Sequence, residues 1–408
     1  MKSLIHKSRG IPLFAAGFLL LLFGCEKQKA DLTSFEMQTI KPNPVISAMV
    51  PAGAAPAGVT EIAIQGENFS TDPGDLAVYF NAVQATIRSS AVDRITVNRP
   101  NIIGDSLTVK VVHRSALLPA AFSPYRLEAV YSVMDLVLPT QIVQGIDLDR
   151  DETLYINTLD GSSNKLLLKI PQGGQPSDMG LLRYTATDQK VGPGGFLYLF
   201  VGQADVYRVA VDGTGPVKWA KAPKKPNYGD FDENGNLYAA GKKTDLITIR
   251  MDASSALAGK YADFDIRCVR VFDGHVYTLS QYLGADTSAF PALAIWRNRI
   301  LSADGQLGDS ELVQDWSSCE YSSSTPYCIT FSAGGDMVIG TDNADPILVR
   351  KPTGEIEPLY PTILFPTVYQ LAWGSGNFLY ANVKDSQEAK NIVRIEVSGA
   401  GAPYYGRN

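Results

Sequence analysis

Histidine is scarce in this chain of 408 residues: there are three, and past residue 113 only His275 remains. Ser-His-Asp triads and multi-histidine metal centres need that side chain as base or ligand, so both are nearly excluded. His275 follows Gly274 and reads as a turn residue. Cysteine is almost as rare, with Cys25, Cys268, Cys319 and Cys328. No CxxC and no Cys/His cluster occurs, which argues against zinc and against thiol–disulfide chemistry. No basic stretch stands out, and the formal charge is −6 with a pI near 5.3. Nucleic acid is not an expected partner, because phosphate binding needs a concentrated cationic surface.

What the chain does have is a repeat: a short strand, a Gly/Asp turn, a second strand centred on an aromatic, then a third strand. The second strands are marked by Tyr155, Tyr198, Tyr238, Tyr277, Val338 and Tyr380, at spacings of 43, 40, 39, 61 and 42 residues. A period of about 40–45 residues with strand signals points to β-propeller blades, six of them. The first strands run at Gly145–Asp149, Tyr228–Asp232, Cys268–Phe272, Cys328–Ser332 and Tyr369–Trp373, with a degenerate copy near Val191–Gly195. Tyrosines of the second strands are expected to pack blade against blade. Trp219, Trp296 and Trp373 read as core. The spacing of 61 marks blade four, whose extra length is Gln281–Pro291 and Ser302–Asp309. Insertions in repeats map to loops on a rim; which rim is open at this level.

The region from Asn43 to about Arg126 is also all β, with strands alternating in and out and turns every 8–15 residues, as in a small sandwich. Pro44-Val-Ile-x-x-x-x-Pro51 and Ile64-x-Gly-x-Asn-Phe69 resemble the IPT/TIG family of immunoglobulin-like domains, which implies structural roles for Gly66, Asn68 and Phe69 and a spacer or partner-docking role for residues 44–127. Asp-x-Asp-x-x-Gly-Asn-Leu-Tyr at Asp230–Tyr238 resembles the NHL repeat, the propeller unit expected over 130–408. The fold class is therefore all-β: an Ig-like β-sandwich followed by a six-bladed β-propeller.

The N-terminus reads as a targeting device. Lys2, His6, Lys7 and Arg9 precede an apolar run, Ile11 to Phe23, that is too short to span a bilayer comfortably. Leu22-Phe23-Gly24-Cys25 resembles a bacterial lipobox, which implies removal of residues 1–24 and lipidation of Cys25. Glu26 stands where Asp would favour inner-membrane retention, so the same resemblance implies an outer-membrane anchor. Residues 25–43 are then the lipidated cysteine and a tether. The order of domains resembles surface lipoproteins that Bacteroidota-type bacteria place beside outer-membrane nutrient importers. That implies a lipid-anchored, surface-exposed protein with a glycan, peptide or other nutrient ligand and an importer complex as partner; the periplasmic face stays open.

In an exported protein three cysteines beyond Cys25 leave one unpaired. Cys319 and Cys328 close a short loop and form the simplest disulfide, while Cys268 and Cys328 occupy matching positions in successive blades and compete. Asp147, Asp149 and Asp151 space like a calcium loop, but no Gly stands sixth and no Glu twelfth, so that reading fails. Aligning the blades instead gives a ring ahead of the first strands: Gln144, Lys190 in the degenerate blade, Tyr228, Arg267, Tyr327 and Tyr369, with Asn227 beside them. Such positions line one mouth of a propeller channel. Tyrosines with a guanidinium and amides suit sugar or peptide binding; the alternative is that the aromatics merely plug the channel. Pro226-Asn227-Tyr228-Gly229 resembles the Asn-bearing turn of gluconolactonase/regucalcin-type enzymes, which implies a metal-dependent lactonase or lyase. Gln144 stands where that family wants Glu, and Arg267 disfavours a neighbouring cation. The expectation is a binding protein without cofactor or catalytic residues, with an adhesion or scaffold module as the alternative.

Overall fold

The computed structural model describes residues 40–134, 142–159, 162, 165–365, 367–384 and 390–407. The leader, Cys25 and the tether up to residue 39 lie outside the described residues. Residues 41–408 form one compact unit.

The first part of that unit is a sandwich of a four-stranded and a five-stranded sheet. Leu76, Val78 and Phe80 are buried on alternate positions of Leu76–Phe80, and Ile95 and Val97 do the same in Arg94–Asn98, so the two inner faces meet over a period of two. The motif at residues 64–69 is structural, as expected. Any side chain at Gly66 would strike the Val45 carbonyl oxygen at 1.8 Å. Asn68 takes φ 60° and donates its amide to the Asn43 carbonyl, and Phe69 is buried in the core.

Six four-stranded antiparallel sheets follow. Their innermost strands are Ile142–Leu148, Asp188–Gly192, Tyr228–Phe231, Phe264–Phe272, Pro326–Phe331 and Thr367–Trp373, blades one to six in order. Each has a fourth, outer strand beyond the three legible in the sequence. In blade six that strand is Tyr131–Met134, which enters from the sandwich side and pairs with Lys390–Glu396, closing the ring with its own N-terminal end. The core is correspondingly divided: every pair of neighbouring blades shares its own apolar cluster, including blades six and one. The marker tyrosines sit in these wedges. Tyr198 packs edge-on against Phe231 of the next blade at 4.9 Å. Two of them also bind the hairpin of their own blade, Tyr155 through Asp149 and Tyr238 through Asp232.

Those hairpins explain why the Asp-x-Asp-x-Asp spacing makes no calcium loop. Asp149 accepts from the amides of Asp151 and Thr153 and from Tyr155, while Asp147 is turned into the channel. In blade four, residues 283–292 leave the sheet beside Gln281, which pairs with Asp265 at the start of the innermost strand. This insertion therefore rises on the rim where the innermost strands begin. The other extra stretch folds on the opposite rim onto blade three, where Asn236 and Thr248 donate to the carbonyls of Ala303 and Gly305.

The cysteine expectation is corrected: Cys268, Cys319 and Cys328 are all free thiols. Cys319 lies in the turn after Trp316–Ser318 and donates to the Trp316 carbonyl. Cys328 is buried in its strand and turned toward Gly340 and Val368 of blade six. Cys268 meets the Ile329 amide of blade five. Matching positions point the same way round the ring, so the thiols of Cys268 and Cys328 diverge rather than face each other.

Candidate ligand site in the propeller channel

The innermost strands carry a β-bulge at the same height in every blade. Their pairing with the second strands slips between Val143 and Gly145, Ile266 and Cys268, Pro326 and Cys328, and Val368 and Gln370. In blades two and three the amides of Thr187 and Asn227 bond to the carbonyls opposite Asp188 and Tyr228, so two residues again face one. The extra residues are Gln144, Thr187, Asn227, Arg267, Tyr327 and Tyr369. A bulge re-aims its side chain out of the alternating pleat, and here all six line one cavity of about 700 Å³ at the mouth of the channel. That volume falls within the range of small-ligand sites.

All six residues expected at the mouth border this cavity, with two shifts of position. Tyr228 stands one step past the bulge, at the level of Cys268, Cys328 and Gln370, and its phenol is pushed above the usual range by burial and then by Asp188. Lys190 is not a rim residue. It pairs with Tyr198 just as Asp147 pairs with Tyr155 and Asp230 with Tyr238, which puts it at the deepest layer. The true rim residue of blade two is Thr187, whose hydroxyl is held between the carbonyls of Phe200 and Asn227. On the opposite wall Tyr327 and Tyr369 form a tilted ring pair with centroids 5.0 Å apart, and Tyr327 donates to Asp342. Arg267 reaches Gln281 of the second strand.

Several lining residues were not foreseen: Asp188, Lys242, Asp265, Gln370 and Asn382. Asp188 is buried, and burial, only partly offset by Lys190, pushes its carboxyl up to about 7. Gln370 donates to the Gln144 carbonyl and joins blade six to blade one. A signal for the deep layer did exist. Its residues in every blade but the fourth stand eight positions before the marker of the second strand, as in Asp147 before Tyr155 and Lys190 before Tyr198.

The far mouth is closed by the C-terminal segment. Ala402 bonds to the Phe331 carbonyl, Pro403 accepts from Arg270, and Tyr404 shares a hydrogen bond with Thr330. Arg407 pairs with Asp147, and Arg270 with Asp230 at 2.7 Å, both pairs buried. Asp147 stays below its usual range because Arg407 and Lys190 outweigh the burial that pushes it up. The guanidiniums of Arg270 and Arg407 lie 3.7 and 3.9 Å from the centre of the Tyr404 ring. Among the described residues the channel is thus crossed by this segment at the far mouth and opens at the bulged one. Among the described residues no group of three or more His, Cys, Asp or Glu side chains could hold a metal.

Comparison with known proteins agrees with this architecture. The IPT/TIG domain family matches residues 44–127. No curated protein matches the sequence. Among solved structures, an auxiliary nutrient binding protein from Bacteroides thetaiotaomicron is similar over 86% of this chain and 97% of its own, at 10% identity and a TM-score of 0.50. A gluconolactonase candidate is similar over 68% of this chain and 95% of its own, at 15% identity and the same TM-score. At such identities the likeness is one of fold. The protein is an all-β chain that joins an IPT/TIG domain to a six-bladed propeller.

Proposed function

We propose that this protein is a non-catalytic, lipid-anchored protein of the outer-membrane surface that captures a glycan or other nutrient ligand in the open mouth of its propeller. The observation that carries this reading is the bulge ring. Six successive blades each divert one residue into the same cavity, and the side-chain amides of Gln144 and Asn227 make no protein hydrogen bond among the described residues. Ligand sites combine such free polar groups with aromatic walls, here Tyr327 and Tyr369. The fold shared with a nutrient-binding protein supports the same reading. A metal-dependent lactonase would need carboxylates gathered round a cation, whereas this cavity sets Arg267 and Lys190 among its acids.

The sandwich is the partner-docking module, for an importer or a companion lipoprotein. It is seated on the propeller rather than hung from it: Gly58 donates to the Tyr360 hydroxyl at 2.7 Å and Asn101 to the Thr362 carbonyl. Lipidation at Cys25 would tether the whole. The test of the site is a glycan array followed by titration calorimetry with Tyr327→Ala and Tyr369→Ala. Binding lost at least tenfold, with melting curves preserved, supports the reading. A ligand bound equally well by both variants moves the function to the outer blade surfaces, as an adhesion or scaffold module would require.

A further inference from the structure

Lys190 stands at the floor of the cavity, only 9% exposed, and its ammonium has no hydrogen bond or ion pair among the described residues. Three acids act on it, Asp147, Asp230 and Asp188, and the two of the deep layer are already committed. Asp147 holds Arg407 and the Val191 amide, and Asp230 holds Arg270 and the Val271 amide. Beneath the ammonium lies the Tyr404 ring, its centre 5.2 Å away. A buried cation without a hydrogen-bonded partner is costly unless something completes it, and the one open side is the cavity. Burial lowers Lys190, but the fields of Asp147, Asp230 and Asp188 together outweigh it and hold the ammonium above its ordinary range, so it keeps its charge. A second cation, Arg267, stands at the mouth and, among the described residues, has Gln281 as its hydrogen-bond partner and no ion pair.

We infer that the ligand of the open mouth is an acidic saccharide, a uronic-acid-type ring whose carboxylate reaches Lys190. This rests on the binding function proposed above and adds the chemical class. The Tyr327–Tyr369 pair offers ring faces for a sugar, Asn227 and Gln144 offer amides for its hydroxyls, and Lys190 takes the charge with Arg267 as a second contact nearer the rim.

The test uses calorimetry on the purified protein with oligogalacturonates and oligoglucuronates, their methyl esters, and neutral oligosaccharides of the same linkages. Esterification removes the charge and keeps the ring, so the unaltered protein decides first. Acidic forms bound at least tenfold more tightly than their esters, with that preference lost in Lys190→Met and kept in Lys190→Arg, is the expected result. Should Lys190→Met fail to fold, the ester comparison and Arg267→Gln still decide. Esters and neutral sugars bound as well as the acids, but lost in Tyr327→Ala, would overturn the acidic assignment and leave the mouth as the site. Glutamyl peptides bound in preference to uronates would also overturn it. No saccharide of any kind bound would overturn the acidic-saccharide assignment and, with it, the glycan form of the proposed function.

Discussion

The two mouths of the channel begin from similar material and end differently. Each is ringed by polar residues contributed by successive blades, and each exposes strand ends that the blades alone leave incomplete. At the far mouth residues 401–407 complete them: carboxylates meet guanidiniums, and Tyr404 is held between Arg270 and Arg407. At the near mouth no segment among the described residues does the same, and amides, tyrosines, the cations Lys190, Lys242 and Arg267 and the acids Asp188 and Asp265 face a cavity. Buried polar groups that are saturated by the protein act as structure, whereas those left open point to a ligand. Charge alone would not have made the distinction, since acids and bases stand at both mouths.

The contrast breaks most easily at Asp230. Its carboxylate accepts from Arg270 and from the Val271 amide of the next blade, all of them buried. Asp230→Ala leaves a buried guanidinium without its acid, and loss of one partner of such a pair costs about 3–5 kcal/mol. Urea denaturation should show a destabilisation of that order. A loss below about 1 kcal/mol would mean that the far mouth is no better completed than the near one.

How much of this was legible in the sequence divides along the same line. The blade count, the sandwich and the packing role of Tyr155, Tyr198 and Tyr238 follow from hydrophobic period and aromatic spacing, signals that burial imposes on sequence. The mouth residues Gln144, Asn227, Tyr228, Arg267, Tyr327 and Tyr369 were found because the repeat aligns them. Lys190 was misplaced by three residues because blade two lacks a recognisable first strand, and a bulge leaves no compositional mark. Outer strands such as Val217–Lys221 and Ser255–Gly259 are half exposed and carry little pattern, so they were not seen. The closing tail has no repeat at all; its contacts with several blades exist only once the ring is formed.

Asp188 lies between the two mouths and gives a subtler test. Its carboxyl ionises near 7 in the fold against about 3.9 in an unfolded chain. Between those values the native state keeps a proton that the unfolded state has lost, so stability falls as pH rises through that window. Below about 4 both states are protonated and the contribution is flat. Asp188→Asn removes this slope. The melting temperature of the variant should gain on that of the original protein between pH 4.5 and pH 8. A gap moving the other way would mean that Asp188 acts mainly as the counter-charge of Lys190.

The smallest effect is expected at Gln144, and it is the sharpest statement of what separates the mouths. Gln144 is the bulge residue of blade one; its carbonyl is held by Gln370, but its side chain makes no bond among the described residues. Removing that side chain takes away neither a ladder hydrogen bond nor core volume. Gln144→Ala should therefore change unfolding free energy by no more than about 0.5 kcal/mol, while ligand affinity falls by the worth of one lost hydrogen bond, about 0.5–1.5 kcal/mol. Paired denaturation and calorimetry measure both. Stability lost without affinity would place Gln144 with the structural residues of the far mouth, and the ring of bulges would then be a device for closing the propeller rather than for holding a ligand.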